Sequence, residues 1–165
     1  RVSEFAPVVF DPNVRPAVMG DREKYKEQVE KFVEISSAVK VSEEDLNWLY
    51  PGENQIMVAK RWLELGPALI VITRGVDGLV AITPEELIEV PGVRVEVQDT
   101  IGAGDTVGAI VSEAVIKEGI HNLHGEQLRK MLERAALASA ITCSRKGPVP
   151  PTSAEIIERA ANAIH

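Results

Sequence analysis

An α/β fold, a sheet with helices packed on both of its faces, is the class this sequence predicts, and three observations predict it. Apolar runs of strand length alternate with amphipathic stretches of about ten residues or more. The run "ALIVIT", residues 68–73, has no polar alternation, the pattern of a strand buried on both sides in a parallel sheet. And "VRVEV", residues 93–97, alternates and leads to a glycine turn that opens directly into a helical pattern.

Taken in order, Pro7–Phe10 reads as a buried strand stopped by Asp11-Pro12-Asn13. "DREKYKEQVEKFVEIS" places Tyr25, Val29, Phe32, Val33 and Ser36 at helical spacing, with charge on the other face. "AVKVS" is a short strand, and Ser42 with Asp45 forms a capping-box pattern opening "EEDLNWLY". Pro51-Gly52 breaks that helix. Another runs from about Asn54 to Leu65, carries Ile56, Ala59, Trp62 and Leu63 on one face, and stops at Gly66. After "ALIVIT", "RGVDG" turns the chain into "LVAIT". Beyond the glycine turn come a helix to about Lys117, a helix from Glu126 to Thr142, the loop "SRKGPVPP", and a last helix capped by Thr152 with Glu155 three positions on.

With 165 residues, 45% of them apolar, the chain is long enough for one domain with a core. Arg1 opens it without an initiator methionine and leads within a few residues to an apolar strand, which reads as an internal piece of a longer protein. No apolar run reaches the roughly 18 residues of a membrane span, and no secretory signal is visible. Cys143 is the only cysteine, so no intrachain disulfide can form; a packed small side chain in a reducing, cytoplasmic setting is expected. A net charge of −7 argues against a nucleic-acid surface but leaves an anionic ligand open, since backbone dipoles bind phosphate locally.

The chemistry gathers at "DTIGAGD". A glycine turn at the mouth of a helix leaves several N–H groups unpartnered at one point, where the helix dipole adds partial positive charge. Small residues at Gly102, Ala103 and Gly104 let an anion approach the backbone, and Asp105 stands beside it as a candidate proton acceptor. An acid in a first helical turn is also favoured by the dipole alone. No P-loop occurs, and Gly102, Gly104 and Gly108 do not make the dinucleotide fingerprint.

Residues 99–112, "DTIGAGDTVGAIVS", resemble the C-terminal signature D-T-x-G-A-G-D of the PfkB-type, or ribokinase-like, carbohydrate kinases. In order along the chain, "FDPNVRP" resembles the D-P-N-x-R segment of the fructokinase branch, "VKVSEEDL" its V-K-x-S-D-E-E-L, "VITRGVDGLVAI" the T-x-G-x-x-G nucleotide segment, and "TCSRKGPVPPTSAEI" the closing segment. The resemblance runs from about Val8 to Ile157. It implies a ribokinase-like sheet and makes residues 1–165 a single C-terminal portion of the kinase domain, without the N-terminal sugar-binding half and lid.

The same resemblance implies roles. Asp105 would be the general base, and the N–H groups around Gly102, Ala103 and Gly104 the anion hole for the γ-phosphoryl group of ATP. Asp99 would orient the loop and help hold a monovalent cation such as K⁺, with carbonyls near Ile101 and in the Thr142–Gly147 stretch as co-ligands. Thr73, Gly75 and Gly78 would lie along the phosphates and ribose; read alone, "TRGVDG" is a hairpin turn. Arg15 would sit near the transferred phosphoryl group or the sugar, or else on the surface after a Pro-Asn turn. Asp45 takes the place of an acid linked to Mg²⁺ through water, although a capping box explains Ser42 and Asp45 equally well. Ala136 aligns with a position near the adenine, which would make adenine contacts mostly apolar. Glu113, His121, His124 and His165 match no site pattern.

The expected activity is transfer of a phosphoryl group from ATP, with Mg²⁺, to a hydroxyl of a small sugar, fructose first. 2-Keto-3-deoxygluconate kinase and other ribokinase-like kinases are the enzyme alternatives, and a nucleotide-binding regulator without activity is the alternative from another class. Self-association or pairing with the missing half is expected of a chain that leaves a sheet edge or an apolar face uncovered. The fragment alone is expected to be inactive.

Overall fold

The computed structural model describes residues 6–162; Arg1 and His165 lie outside the described residues. The strands are β1 (Val9–Phe10), β2 (Ala38–Ser42), β3 (Leu69–Thr73), β4 (Leu79–Ile82) and β5 (Leu87–Val90). The helices are α1 (Pro16–Met19), α2 (Arg22–Glu34), α3 (Glu43–Leu49), α4 (Gln55–Leu65), α5 (Ala103–Glu118), α6 (Gly125–Cys143) and α7 (Ser153–Asn162), with 3₁₀ turns at Gly75–Asp77 and Ile120–Asn122.

The sheet has the order β1-β2-β3-β4-β5. β1, β2 and β3 run parallel, whereas β4 and β5 are antiparallel to their neighbours. Successive side chains of a strand point to opposite faces, and both faces are covered. Ala38, Leu69, Val71 and Ala81 pack with Val107 and Val111 of α5 and Leu128 and Leu132 of α6. On the other face Val39, Val41, Ile70, Ile72 and Val80 pack with Val29 and Val33 of α2, Leu46 and Leu49 of α3, and Val58 and Trp62 of α4. Burial on two faces is why "ALIVIT" carries no polar alternation.

Side-chain caps fix where the helices of the second face begin. Asp21 accepts from the N–H groups of Glu23 and Lys24, and Asn54 from those of Ile56 and Met57. Ser42 and Asp45 close a complete capping box on α3. Such a cap contributes about 1 kcal/mol.

Two expectations change. β1 is shorter than Pro7–Phe10. Residues 93–97 are not a strand: no other strand pairs with them, and the next two N–H groups, of Gln98 and Asp99, both donate to the Cys143 carbonyl at 2.8 and 3.2 Å. The final sheet position belongs instead to β5, whose alternating exposed and buried residues follow a turn held by the Thr83 hydroxyl.

Candidate active site

Parallel strands bring their carboxyl ends to one edge of a sheet, the usual place for a ligand in such folds. Asp11, directly after β1, Ser42 at the end of β2 and Thr73 at the end of β3 share that edge, with Ser42 and Thr73 in register. α5 begins beside it. Gly102 is its N-cap, at φ +82°, a left-handed conformation that favours glycine. A Cβ at Gly102 would also come within 3.0 Å of Pro148 Cβ.

The first turn of α5 presents donors. The Ala103 N–H donates to the Thr100 carbonyl at 3.2 Å. Among the described residues the N–H groups of Gly102, Gly104 and Asp105 have no partner within the protein. Asp105 follows at the third helical position, exposed to solvent.

Lys40, a residue that sequence reasoning left without a role, reaches this point from the middle of β2. It is 5% exposed, and its ammonium donates to Asp11 Oδ2 at 2.8 Å. A Cβ built on Gly104 would lie 2.8 Å from Lys40 Nζ. A buried ammonium and a helix N-terminus with unpartnered N–H groups therefore lie together at Gly104, the residue before the exposed Asp105. The pairing with Asp11 keeps the buried charge from standing alone, which would be strongly destabilising.

The turn is braced from behind by the end of α6. Asp99 Oδ1 accepts from the Ile101 N–H at 3.0 Å and Oδ2 from the Gly147 N–H at 3.1 Å, so the structure brings Asp99, Ile101 and Gly147 together. The hydroxyls of Thr106 and Thr142, both buried, lie 2.9 Å apart, and Thr106 Oγ1 is also 2.9 Å from the Gly102 carbonyl. Cys143 is half-buried, and burial pushes its thiol above the usual range, helped by the Asp99 charge.

The other expected residues are spread more widely. Thr73 ends β3, and Gly75 sits in the exposed 3₁₀ turn between β3 and β4. Gly78 is buried: its φ is +99°, and a Cβ there would lie 2.1 Å from the Val90 carbonyl oxygen, so the crossing of β5 demands glycine. Arg15 is exposed and donates from Nη1 to the Val14 carbonyl at 3.0 Å. Ala136 is 7% exposed within the core between sheet and helices. Asp45 is also 7% exposed, with Oδ1 accepting from the Val14 N–H at 3.0 Å and Oδ2 from the Ser42 N–H at 3.4 Å. Burial, ahead of the other influences, raises the Asp45 carboxyl above its usual range.

Comparison with known proteins gives the family and the fold. Residues 2–155 match the pfkB family carbohydrate kinases. A fructokinase of Rhizobium leguminosarum bv. trifolii is 37% identical over 102 residues, 62% of this chain and 31% of its own length. Fructokinase-2 of Oryza sativa subsp. japonica is 31% identical over 162 residues, 93% of this chain and 47% of its own length. The chain thus spans less than half the length of these curated relatives. Among solved structures, a fructokinase from Xylella fastidiosa with bound ATP superposes with a TM-score of 0.85 at 24% identity, covering 97% of this chain and 53% of that one. A fructokinase from Vibrio cholerae in a fructose, ADP and calcium ion bound form has a TM-score of 0.79 at 27% identity, covering 92% and 50%. The fold is ribokinase-like, and with nearly its whole length matched, this chain belongs to the pfkB family of carbohydrate kinases.

Proposed function

We propose that this chain is the C-terminal, nucleotide-binding part of an ATP-dependent sugar kinase, with fructose its first candidate substrate. The single observation that carries the reading is the mouth of α5: unpartnered N–H groups at Gly102, Gly104 and Asp105 stand with the Lys40 ammonium beside Gly104, and the exposed Asp105 follows in the same helical turn. Such an array suits a phosphoryl group that gains charge during transfer. The family and the fructokinases similar to this chain point the same way.

In that reaction Asp105 takes the proton of the sugar hydroxyl as its oxygen attacks the γ-phosphorus, and the bond to the β–γ bridging oxygen breaks to release ADP. The N–H groups of the turn and Lys40 hold the charge on the non-bridging oxygens. Thr73 and Gly75 line the path of the remaining phosphates and ribose.

Two ions were expected. Asp99 has both carboxylate oxygens engaged by N–H groups, of Ile101 and Gly147, so it braces the loop by itself; a monovalent cation such as K⁺ behind the turn would draw mainly on the carbonyl oxygens of the same two stretches. For Mg²⁺ the fit is poorer: Asp45 is buried with both oxygens engaged, and among the described residues no group of three or more His, Cys, Asp or Glu side chains could hold a metal ion. No step here runs through a protein-bound divalent ion.

The test is calorimetric titration of the chain with an imido-bridged ATP analogue in Mg²⁺ buffer, beside a coupled assay for fructose phosphorylation. Binding without turnover is expected, because positioning both reactants contributes about 7–11 kcal/mol and the sugar half is outside this chain. Absence of analogue binding overturns the nucleotide site; robust fructose turnover overturns the division of sites.

A further inference from the structure

The segment Asp11–Arg15 is held more tightly than an exposed loop requires. Asp11 Oδ1 accepts from its own loop at the Asn13 N–H, 3.1 Å. The Pro12 carbonyl accepts from the Tyr25 hydroxyl at 2.9 Å, and the Tyr25 ring packs edge-on to Trp48 with centroids 5.9 Å apart. Asn13 has φ +42°, the one described residue other than glycine in the left-handed region. Such a conformation persists where the surroundings over-determine it.

The tether to α3 is the Val14 N–H, which donates to Asp45 Oδ1 at 3.0 Å across 31 positions of sequence. A capping box needs only one carboxylate oxygen, and Oδ2 provides it by accepting from Ser42. Oδ1 is therefore free to do something else, and it holds the arm. Val14 is itself 5% exposed, so its N–H has no water to fall back on. The arm carries Asp11, which is the carboxylate partner of Lys40, and Lys40 faces the mouth of α5.

We propose that Asp45 is a positioning residue that clamps the Asp11–Arg15 arm through the Val14 N–H, and so fixes Asp11 and Lys40 against the γ-phosphoryl site, rather than a ligand of Mg²⁺. This rests on the reading of the α5 mouth as that site. Asp45 touches neither reactant; it acts through Val14, Asp11 and Lys40 in turn.

The test compares Asp45→Asn and Asp45→Ala in the full chain. Asn keeps an Oδ1 acceptor for Val14 but has no charge; Ala has neither. One readout is hydrogen exchange of the Val14 amide by NMR. The other is affinity for the imido-bridged ATP analogue, with Mg²⁺ and with a chelator. A clamp predicts that Ala lowers Val14 protection and analogue affinity about tenfold or more, by the same factor in both buffers, while Asn stays within about threefold of the parent chain. It also predicts that Asp45→Ala costs no further affinity in a Lys40→Met background, since the effect passes through Lys40. A metal ligand predicts that Asn loses the gain in affinity from Mg²⁺ while Val14 stays protected, and that result overturns the proposal. So does unchanged Val14 protection in the Ala variant. If Ala fails to fold, the Asn variant decides, because the two roles diverge there. If the parent chain binds no analogue in either buffer, the reading of the α5 mouth fails, while Val14 exchange still decides the clamp.

Discussion

Gly104→Ala should separate the folding of the helix mouth from its use. Gly104 is the second residue of α5 and, unlike Gly102, lies outside the positive-φ region, so its backbone accepts alanine. Within a helix the change gains up to about 1 kcal/mol. The added Cβ would stand 2.8 Å from Lys40 Nζ and 3.8 Å from Cε, so the lysine tip must retreat by several tenths of an ångström. Lys40 cannot swing into solvent, since its side chain is 6% exposed, and among the described residues its only ion-pair partner is Asp11 at 2.8 Å. Loosening that charge-assisted bond costs about 1.5–3 kcal/mol at most. The two effects leave a net destabilisation of about 2 kcal/mol or less, a Tm fall of no more than about 8 °C.

Binding should suffer more. The methyl group occupies the place where an anion approaches the backbone, and the ammonium is displaced from it. Losing one charge-assisted contact to a phosphoryl oxygen is worth about 10–100-fold in affinity. Calorimetry should therefore show that factor for the imido-bridged ATP analogue and less than about threefold for ADP, which has no γ-phosphate. A folded Gly104→Ala chain with unchanged affinity for the analogue would refute the anion hole. Two other glycines calibrate the result. Gly102→Ala puts a side chain at φ +82° and 3.0 Å from Pro148 Cβ, and should cost stability as well as binding. Gly78→Ala drives a Cβ to 2.1 Å from the Val90 carbonyl oxygen and should prevent folding of the β4–β5 hairpin, whatever the ligand.

On the proposed reading, Asp105→Asn in a full-length protein that carries this chain should lower kcat by about 10²–10⁴-fold with little change in analogue affinity; retention of half of kcat or more would reduce Asp105 to a dipole-stabilising residue. Both tyrosines of the chain should resist alkaline titration. Burial first raises the Tyr25 phenol, with Asp45 and Asp11 adding to it, and burial first raises Tyr50 far above the ordinary range, helped by its bond to Glu30. The folded chain then holds these protons after the unfolded chain has released them, so the stability they contribute is intact below about pH 10 and lost as pH rises beyond it. Phenolate absorbance should appear together with loss of the circular dichroism signal; full phenolate formation near pH 10 in a folded chain would contradict the burial of Tyr50 and the half-burial of Tyr25.

What could be read from the sequence depended on whether the cause was local. Caps, the glycine turn and the two-sided burial of β3 follow from neighbours in the chain, and each stands where its pattern placed it. Residues 93–97 alternate like a strand, but a strand also needs a partner, and the edge they would have joined belongs to β5. The grouping of Asp99, Ile101 and Gly147 was legible only through resemblance, because it closes across 48 positions of sequence. Lys40 was overlooked because a single lysine in a short strand reads as a solvent-facing residue. Its partner Asp11 lies 29 positions away, and nothing local marks the pair. The alternation of "AVKVS" did carry a signal: Lys40 shares its face with Ala38, and that face is the one covered by α5.

The Asp11–Lys40 pair also explains how a chain of net charge −7 can keep a cation ready for an anionic ligand. An ammonium buried beneath a helix N-terminus faces like partial charge, and without a counter-ion it would be strongly destabilising. Asp11 supplies the counter-ion permanently, from the side of Lys40 bound at 2.8 Å, whereas Gly104 leaves space on another side. The lysine is thus placed before any ligand arrives, and on the proposed reading little reorganisation is left for the moment when charge builds on a phosphoryl group. This arrangement has a consequence for mutation. Removing Asp11 should damage the site through Lys40, by leaving a buried charge unpaired, and Lys40→Met should then restore stability to the Asp11 variant without restoring binding. Additive losses of stability in the double variant would mean that the two residues act independently.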